Sequence, residues 1–452
     1  MSLIKFFSTN GHSERVDFRQ ALLMGQAPDK GLFMPEQIPK VPESIIKEFP
    51  RMSYPQIAYE IVKPYLGDLI ADSALRNMLQ DAYDYEIPLE RVYDEKYVLR
   101  LDQGPTCSFK DFAARLMGRM IQYFLKEDGK SVIILTATSG DTGSAVAHAF
   151  YGLDNIKVVV LFPEREVTVR QRRQMTTLGK NIFPLAIEGK FDDCQALVKQ
   201  AFTDPGLLGL NLSSANSINI GRLLPQAVYY FYAHSRAALH GEEIVFSVPS
   251  GNFGDLMGGL IAFKMGLPVH KFVVATNEND EFPVFMQTGV YEPIRPSKNC
   301  ISNAMNVGHP SNLARLFCLY GGQMDETGRV SRQPDLIAMC KDLYAVSITD
   351  DQTRQTIKDA HSQYKVLLEP HGAVGWAGLV KYLQECGDWS PCVSLETADP
   401  AKFPEEIVRL TGVNPALPQV MARLDELEEH FEKMDGSYAS LKNYLGRFLT
   451  EV

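Results

Sequence analysis

A chain of 452 residues is too long for one simple hydrophobic core, so two or three domains are expected. Hydrophobic residues at 45% and charged residues at 22% are the proportions of a soluble globular protein, and a net charge of −10 argues against a general nucleic-acid binder. An acidic chain of this kind must hold any anionic ligand locally, with backbone amides and a few placed cations.

In chain order, residues 1–10 carry no apolar leader run, and no later stretch approaches the length of a membrane span. A cytoplasmic protein with no membrane partner is therefore expected. Residues 1–95 mix short helices with Pro-bounded loops such as Gly31-Leu32-Phe33-Met34-Pro35. From Tyr97 the pattern becomes regular. Phe109, Phe112, Ala113, Leu116, Met117, Met120, Ile121 and Phe124 recur at helical spacing and mark a core-facing stripe. Lys110 stands in the first turn of that helix, off the stripe. Ala114 and Gly118 lie above it at four-residue steps, which leaves room for a flat ligand. Residues 131–136 (SVIILT) read as a buried strand, 137–143 as a glycine-rich turn, 144–151 as a helix and 157–162 (KVVVLF) as the next strand. The pattern returns with a strand at 243–248, a glycine-rich turn at 249–255, a helix at 256–265 and a strand at 271–276. A last apolar run at 392–395 leads into Glu396-Thr397-Ala398-Asp399-Pro400. Such alternation predicts α/β architecture with open parallel sheets and ligands bound beyond the carboxyl ends of the strands.

A partly buried lysine at a helix N-terminus favours its neutral amine, the form that attacks carbonyls, and suits Schiff-base chemistry. The plain alternative is a solvated lysine or one paired with Asp111. Each glycine-rich turn joins a strand end to a helix start, where unpaired N–H groups accept phosphate readily. In Pro249-Ser250-Gly251-Asn252-Phe253-Gly254-Asp255 two glycines permit close backbone approach, and Ser250 and Asn252 offer side-chain hydrogen bonds, so this turn reads as a phosphate cradle. In Thr138-Ser139-Gly140-Asp141-Thr142-Gly143 hydroxyls and amides suit an anion or a carboxylate, whereas Asp141 suits a proton donor such as a ring hydroxyl or an N–H. Ordinary helix capping is the alternative for either turn taken singly. Neither turn is G-x-G-x-x-G and no Walker A sequence occurs, so nucleotide binding is not expected. Seven cysteines form no C-x-x-C pair and nine histidines include no H-E-x-x-H, which predicts reduced thiols and no metal centre.

With Lys110 and these two turns, the chain resembles the threonine synthase family, pyridoxal-phosphate enzymes of the tryptophan-synthase-β-like fold. The resemblance starts at Phe18-Arg19-Gln20-Ala21 and residues 31–35. It continues through 104–112, 136–153 (TATSGDTGSAVAHAFYGL), 191–202, 213–231 (SSANSINIGRLLPQAVYYF) and 246–255, and ends at Glu369-Pro370-His371 and 397–403 (TADPAKF). It implies pyridoxal-phosphate fold type II, with two open twisted α/β domains and the cofactor in the cleft between them. The implied layout is an N-terminal accessory domain at 1–95, a large cofactor-binding domain at 96–127 and 228–403, a smaller mobile α/β domain at 128–227 and a helical C-terminal segment at 404–452. By the same resemblance Lys110 forms the imine with pyridoxal 5′-phosphate, and Gly251, Asn252, Phe253, Gly254 and Asp255 line the loop around its phosphate. Thr397 faces the pyridine nitrogen and Asp141 lies near the ring 3-hydroxyl. Ser139 and Thr142 are expected at the amino-acid carboxylate, and Asn216, Ser217, Asn219 and Arg222 at the rest of the substrate. Arg222 is the best candidate for the substrate phosphate, because a guanidinium fork matches phosphate geometry; a surface or interface arginine is the alternative. His371 is expected to be a packed, hydrogen-bonded histidine. Lys30 stands where many relatives have glycine, and Asp399 where a histidine is frequent.

The implied reaction converts O-phospho-L-homoserine and water to L-threonine and phosphate, by γ-elimination and β-addition of water, with Lys110 as general base. A lyase or dehydratase for another hydroxy-amino acid would use the same lysine and loop. A non-catalytic metabolite-binding protein would carry a disabled lysine or loop, and neither is seen. Whether the protein is a monomer or a dimer is not legible, because apolar faces serve core and interface alike.

Overall fold

A computed structural model describes residues 3–450 except Asp388 and Ser390. Two sheets organise it. The larger has six strands in the order Leu343–Ser347, Val269–Thr276, Ile244–Pro249, Cys392–Glu396, Lys96–Arg100 and Leu89–Tyr93. All neighbours are parallel except the outer hairpin Leu89–Tyr93/Lys96–Arg100. The smaller has five parallel strands in the order Glu432–Met434, Ile182–Ile187, Ile156–Pro163, Val132–Ala137 and Leu212–Ser213. The central strands are mostly apolar, broken by Thr136, Ser247, Ser394 and Glu396, because helices cover both faces of a parallel sheet. Every residue of Val132–Ala137, Ile244–Pro249 and Cys392–Glu396 is buried.

Two segments depart from the expected layout. Leu89–Tyr93 falls inside the expected accessory region, yet it pairs with Lys96–Arg100 as the edge of the large sheet. The tail, expected to be helical, adds Glu432–Met434 beside Ile182–Ile187. Glu-Lys-Met carries no alternation long enough to read, and its charges are what an exposed edge strand tolerates.

The helix Lys110–Asp128 links the two halves. Phe112, Leu116, Met117, Met120, Ile121 and Phe124 on its stripe are each at most 1% exposed, and each contributes roughly 1.5–3 kcal/mol of burial. The small residues opposite do a different job from the one expected. Ala114 is fully buried, and a Cβ on Gly118 would lie 3.1 Å from the carbonyl of Ala149. Gly118 therefore admits the neighbouring helix Asp141–Phe150, with which Lys110–Asp128 packs, and leaves no slot for a ligand. The N-terminal helices Tyr54–Leu66 and Asp72–Ala82 buttress the same region. Tyr54 makes edge contacts with Tyr83 and Phe112, and the Tyr83 hydroxyl donates to the Phe112 carbonyl at 3.0 Å.

Lys30 occupies the left-handed region at φ 66°, and its neighbour Gly31 has no room for a Cβ, which would sit 2.1 Å from Ser8 Oγ. The exposed Lys30–Glu326 pair at 3.5 Å adds little. Lys30→Gly is expected to stabilise the protein by about 1 kcal/mol by removing the left-handed strain. A denaturant midpoint that falls instead of rising would refute this.

Candidate active site

Lys110 reaches its place through a short antiparallel contact. Phe109 N–H donates to the Thr397 carbonyl at 2.9 Å and Asp399 N–H to the Cys107 carbonyl at 3.1 Å, around a bridge between Ser108 and Ala398. The start of the lysine helix is thereby fixed beside Thr397, at the carboxyl end of the central strand Cys392–Glu396. Asp111 is not the partner of Lys110. It accepts the Thr106 N–H and hydroxyl, each at 2.8 Å, and closes the turn before the helix. Gly104 is required there, because a Cβ would come within 2.5 Å of Asp111 Oδ2. Lys110 Nζ has no hydrogen bond or ion pair among the described residues; it lies 4.6 Å from the Phe109 ring centroid. Burial lowers its pKa, the charge of Asp141 opposes this, and the charges of Lys402 and Arg222 add to the lowering.

The turn after Ile244–Pro249 presents backbone, not side chains. Phe253 adopts φ 61°, ψ 10° at the start of the helix Gly254–Met265, and the amides of Gly251, Asn252, Phe253 and Gly254 donate to nothing among the described residues. Four free N–H groups at a helix N-terminus make an anion cradle. Ser250 and Asn252 spend their side chains on the frame, contrary to the expectation from sequence. Ser250 Oγ donates to the Val248 carbonyl at 3.0 Å. Asn252 Oδ1 accepts the Ser311 N–H at 2.7 Å, and its Nδ2 donates to Ser217 Oγ at 2.5 Å. Asp255 also turns away from the loop. Its Oδ1 accepts the hydroxyls of Tyr229 at 2.6 Å and Tyr230 at 2.8 Å, and burial pushes the carboxyl up to about 6. Its side chain thus serves the wall beneath the cradle.

The turn after Val132–Ala137 is shaped by Thr138, whose Oγ1 accepts the N–H groups of Gly140 at 2.9 Å and Gly143 at 2.8 Å. Gly140 sits at φ 140°, a conformation open to glycine. The amides of Ser139, Asp141 and Thr142 and the hydroxyls of Ser139 and Thr142 have no partner among the described residues. Asp141 is buried. Its Oδ1 accepts Lys402 Nζ at 2.9 Å and Gln171 Nε2 at 3.0 Å. Burial works to raise its pKa, but the charges of Lys402 and Lys110 outweigh it and hold the carboxyl below the usual range.

The 213–231 segment divides. Asn216 Oδ1 accepts the Thr136 hydroxyl, and Ser217 Oγ accepts from Asn252. Asn219 is fully committed: it donates to the carbonyls of Leu22 at 2.9 Å and Ser214 at 3.0 Å and accepts the Gly221 N–H at 2.9 Å. It shapes the chain and keeps no group for a substrate. Arg222 is 4% exposed, so it is no surface arginine. One nitrogen donates to the Ala215 carbonyl at 3.0 Å, Nε has no partner, and no carboxylate pairs with it among the described residues. Burial brings its pKa down to about 10, against the pull of Asp111. Thr397 Oγ1 lies 3.5 Å from Glu369 Oε1. His371 is packed as expected, with Nδ1 2.5 Å from Glu369 Oε2 and Nε2 accepting the Ala304 N–H at 3.0 Å. Asp399, at the family's frequent histidine position, accepts the Ala401 N–H at 2.7 Å and caps the turn that carries Lys402.

The family described as "Pyridoxal-phosphate dependent enzyme" matches residues 88–397, "Threonine synthase N terminus" residues 5–83 and "Threonine synthase, C-terminal" residues 372–445. Threonine synthase of Escherichia coli K12 is 38% identical over 444 residues, which covers 98% of this chain and 99% of that protein. The chain belongs to the threonine synthase family. Threonine synthase of Haemophilus influenzae is 39% identical over 439 residues, 96% of this chain and 97% of its own. The crystal structure of pyridoxal-phosphate-bound threonine synthase from Brucella melitensis superposes with a TM-score of 0.92 at 35% identity, over 99% of this chain and all 100% of that one. The yeast enzyme gives 0.91 at 29% identity, over 99% of both chains.

As a member of this family the protein is a pyridoxal-phosphate-dependent lyase of amino-acid biosynthesis with fold type II architecture. The residues present fit the cofactor: an unpaired, half-buried amine at Lys110, and a set of unpaired amides at 251–254 suited to its phosphate. Gly251 admits no side chain, since a Cβ there would come within 2.8 Å of Met305 Cα, so the loop must keep bare backbone at that position. Four residues that shape the synthase site escaped the sequence reading. Lys402 lies inside the quoted TADPAKF run, and only its burial reveals its role. Glu369 was quoted beside His371 without a role. Gln171 and Arg315 had no local signal; Arg315, fully buried, donates to the carbonyls of Ser217 at 3.1 Å and Ile218 at 2.6 Å and so holds the 217–218 backbone.

Proposed function

We propose that the enzyme converts O-phospho-L-homoserine and water to L-threonine and phosphate, with Lys110 as its central catalytic group. The observation that carries this is an unpaired lysine whose pKa burial lowers, near enough to feel the charge of Arg222, in a fold that also offers the free amides of 251–254 as a second, separate anion site. A substrate that brings its own phosphate to a phosphorylated cofactor needs two such sites. When bound, the cofactor supplies an electron sink that stabilises negative charge at the substrate Cα.

The chain's own residues supply the rest. The amides of Gly251, Asn252, Phe253 and Gly254 would hold the cofactor phosphate. Asp141, held ionised by Lys402, would accept the ring hydroxyl, and the neutral hydroxyl of Thr397 would face the ring nitrogen. Ser139 and Thr142, with their free amides and hydroxyls, would bind the substrate carboxylate. Arg222, with Asn216 and Ser217 nearby in sequence, would bind the phosphate that leaves Cγ. Lys110, freed by the substrate amine, would take the α-proton as general base. A second proton leaves Cβ, phosphate departs from Cγ, a proton is delivered to Cγ, water adds its hydroxyl at Cβ, and a proton returns to Cα. Asn219 has no part in this list, and Asp255 contributes through its position beneath the loop.

The body built on the five-stranded sheet would close over the substrate to exclude water until the last step. Contacts across the two halves, Asp141–Lys402 at 2.9 Å and Gln174 Nε2 to the Thr106 carbonyl at 3.0 Å, are what closure would make. We also place the enzyme in the cytoplasm, since all seven cysteines are free thiols. No helix among the described residues is long and apolar enough to cross a membrane. The test of function is product analysis. Supplied with O-phospho-L-homoserine, the enzyme is expected to release phosphate and threonine in equal amounts; phosphate with 2-oxobutyrate would identify a lyase instead.

A further inference from the structure

The charge environment of Lys110 contains a second buried lysine to which the proposed reaction assigns no step of its own. Lys402 is 2% exposed and belongs to the turn Pro400–Lys402 after the last strand of the large sheet. Its partner Asp141, 4% exposed, belongs to the first turn of a helix on the small sheet. Their 2.9 Å ion pair therefore joins the two sheets, with both charges close enough to act on Lys110. Gln171 completes the arrangement by donating to the same carboxylate oxygen at 3.0 Å. The groups that act on Lys110 come from four other elements: Asp141, Lys402, Arg222 and Glu369. Asp255 lies near enough to feel its charge, and Asp111 is its neighbour in the helix. Facing Lys402 are Asp141, Cys107, Asp111 and Asp399.

We propose that Lys402 is a positioning residue that cancels the charge of Asp141 beside Lys110, so that the catalytic amine meets no uncompensated carboxylate. The inference rests on the assignment of Lys110 as the lysine that joins the cofactor. Physically, Asp141 is the strongest charge acting on Lys110, and by itself it would favour the ammonium form. An ammonium cannot attack a carbonyl or accept the α-proton. Lys402 offsets that pull without touching Lys110. The sign of each substitution follows. Lys402→Met leaves a bare carboxylate beside Lys110 and raises the pH at which its amine becomes neutral. Asp141→Asn leaves two cations facing each other and lowers it. The double variant returns toward the wild type, and Lys402→Arg keeps the charge and the wild-type behaviour.

The experiment strips full-length protein of its cofactor and follows the growth of visible absorbance on adding pyridoxal 5′-phosphate, as a function of pH. The midpoint of the rate profile is expected to rise by about one pH unit in Lys402→Met, to fall by a similar amount in Asp141→Asn and to recover in the pair. Thermal melting of each variant accompanies the titration. Should Lys402→Met not fold, Asp141→Asn and Lys402→Arg still separate the charge effect from a structural one. Midpoints for Lys402→Met and Asp141→Asn that move in the same direction, or that stay within about 0.3 unit of wild type, overturn the proposal. If the wild type itself develops no band, the assignment of Lys110 fails as well, a result distinct from unmoved midpoints in a wild type that does.

Discussion

Lys110→Ala is expected to abolish the visible absorbance of the purified enzyme and to lower phosphate release from O-phospho-L-homoserine by on the order of 10⁴-fold or more, because it removes both the covalent anchor and the general base. The structure sets this expectation through what Lys110 lacks. A buried amine ordinarily pairs with a carboxylate or shifts toward neutrality. Asp111, adjacent in the helix, is committed to Thr106, and Asp141 to Lys402 and Gln171. Nothing in the fold needs the Lys110 ammonium, so the substitution should leave the melting temperature unchanged or higher, with alanine the better helix former. A variant that keeps its chromophore, or that loses less than about tenfold in turnover, would remove Lys110 from the mechanism. A variant that melts far below the wild type would show instead that the amine is structural.

The second large effect is at Arg222. Arg222→Met keeps roughly the side-chain volume and deletes a buried cation that makes no ion pair among the described residues. Turnover of the phosphorylated substrate is expected to fall by on the order of 10²–10³ in kcat/KM, mainly through KM, since a buried guanidinium–phosphate contact is worth several kcal/mol. Stability should rise, because an uncompensated charge of this kind is costly to bury. This opposition, lower activity with a higher melting temperature, distinguishes a ligand-binding arginine from a structural one. Arg222→Lys keeps the charge and loses the fork, and should lie between the two. Unchanged kcat/KM in Arg222→Met would move the substrate phosphate elsewhere, to the amides of Ser139, Asp141 and Thr142.

Residues close in the chain were legible where local physics governs them. The buried strands at 132–137, 244–249 and 392–396 follow from short, largely apolar runs, and the helix from Lys110 follows from its stripe. Both glycine-rich turns lie at helix N-termini, as strand–turn–helix spacing demands. Side-chain direction inside those turns was not legible. Asn252 and Asp255 have the chemistry of ligand contacts, yet the one braces Ser311 and Ser217 and the other takes two tyrosine hydroxyls. Gly118 looked like space for a ligand and proved to be space for a helix. Asn219 looked like a substrate contact and proved to be a bracket between Leu22 and Ser214.

By itself the sequence determined the architecture, the lysine at a helix start and the glycine-rich turn at another, because helix period, strand burial and the free amides of a helix start are properties of contiguous residues. The tertiary structure decided which charges are already spent. Asp111 belongs to Thr106, five residues back, whereas Asp141 belongs to Lys402, 261 residues away on the other sheet. Arg222 makes no ion pair with any carboxylate among the described residues, though it lies within reach of the charge of Asp111. Whether a buried charge is paired depends on which strands and turns the fold sets side by side, and the spacing of residues along a chain carries no record of that.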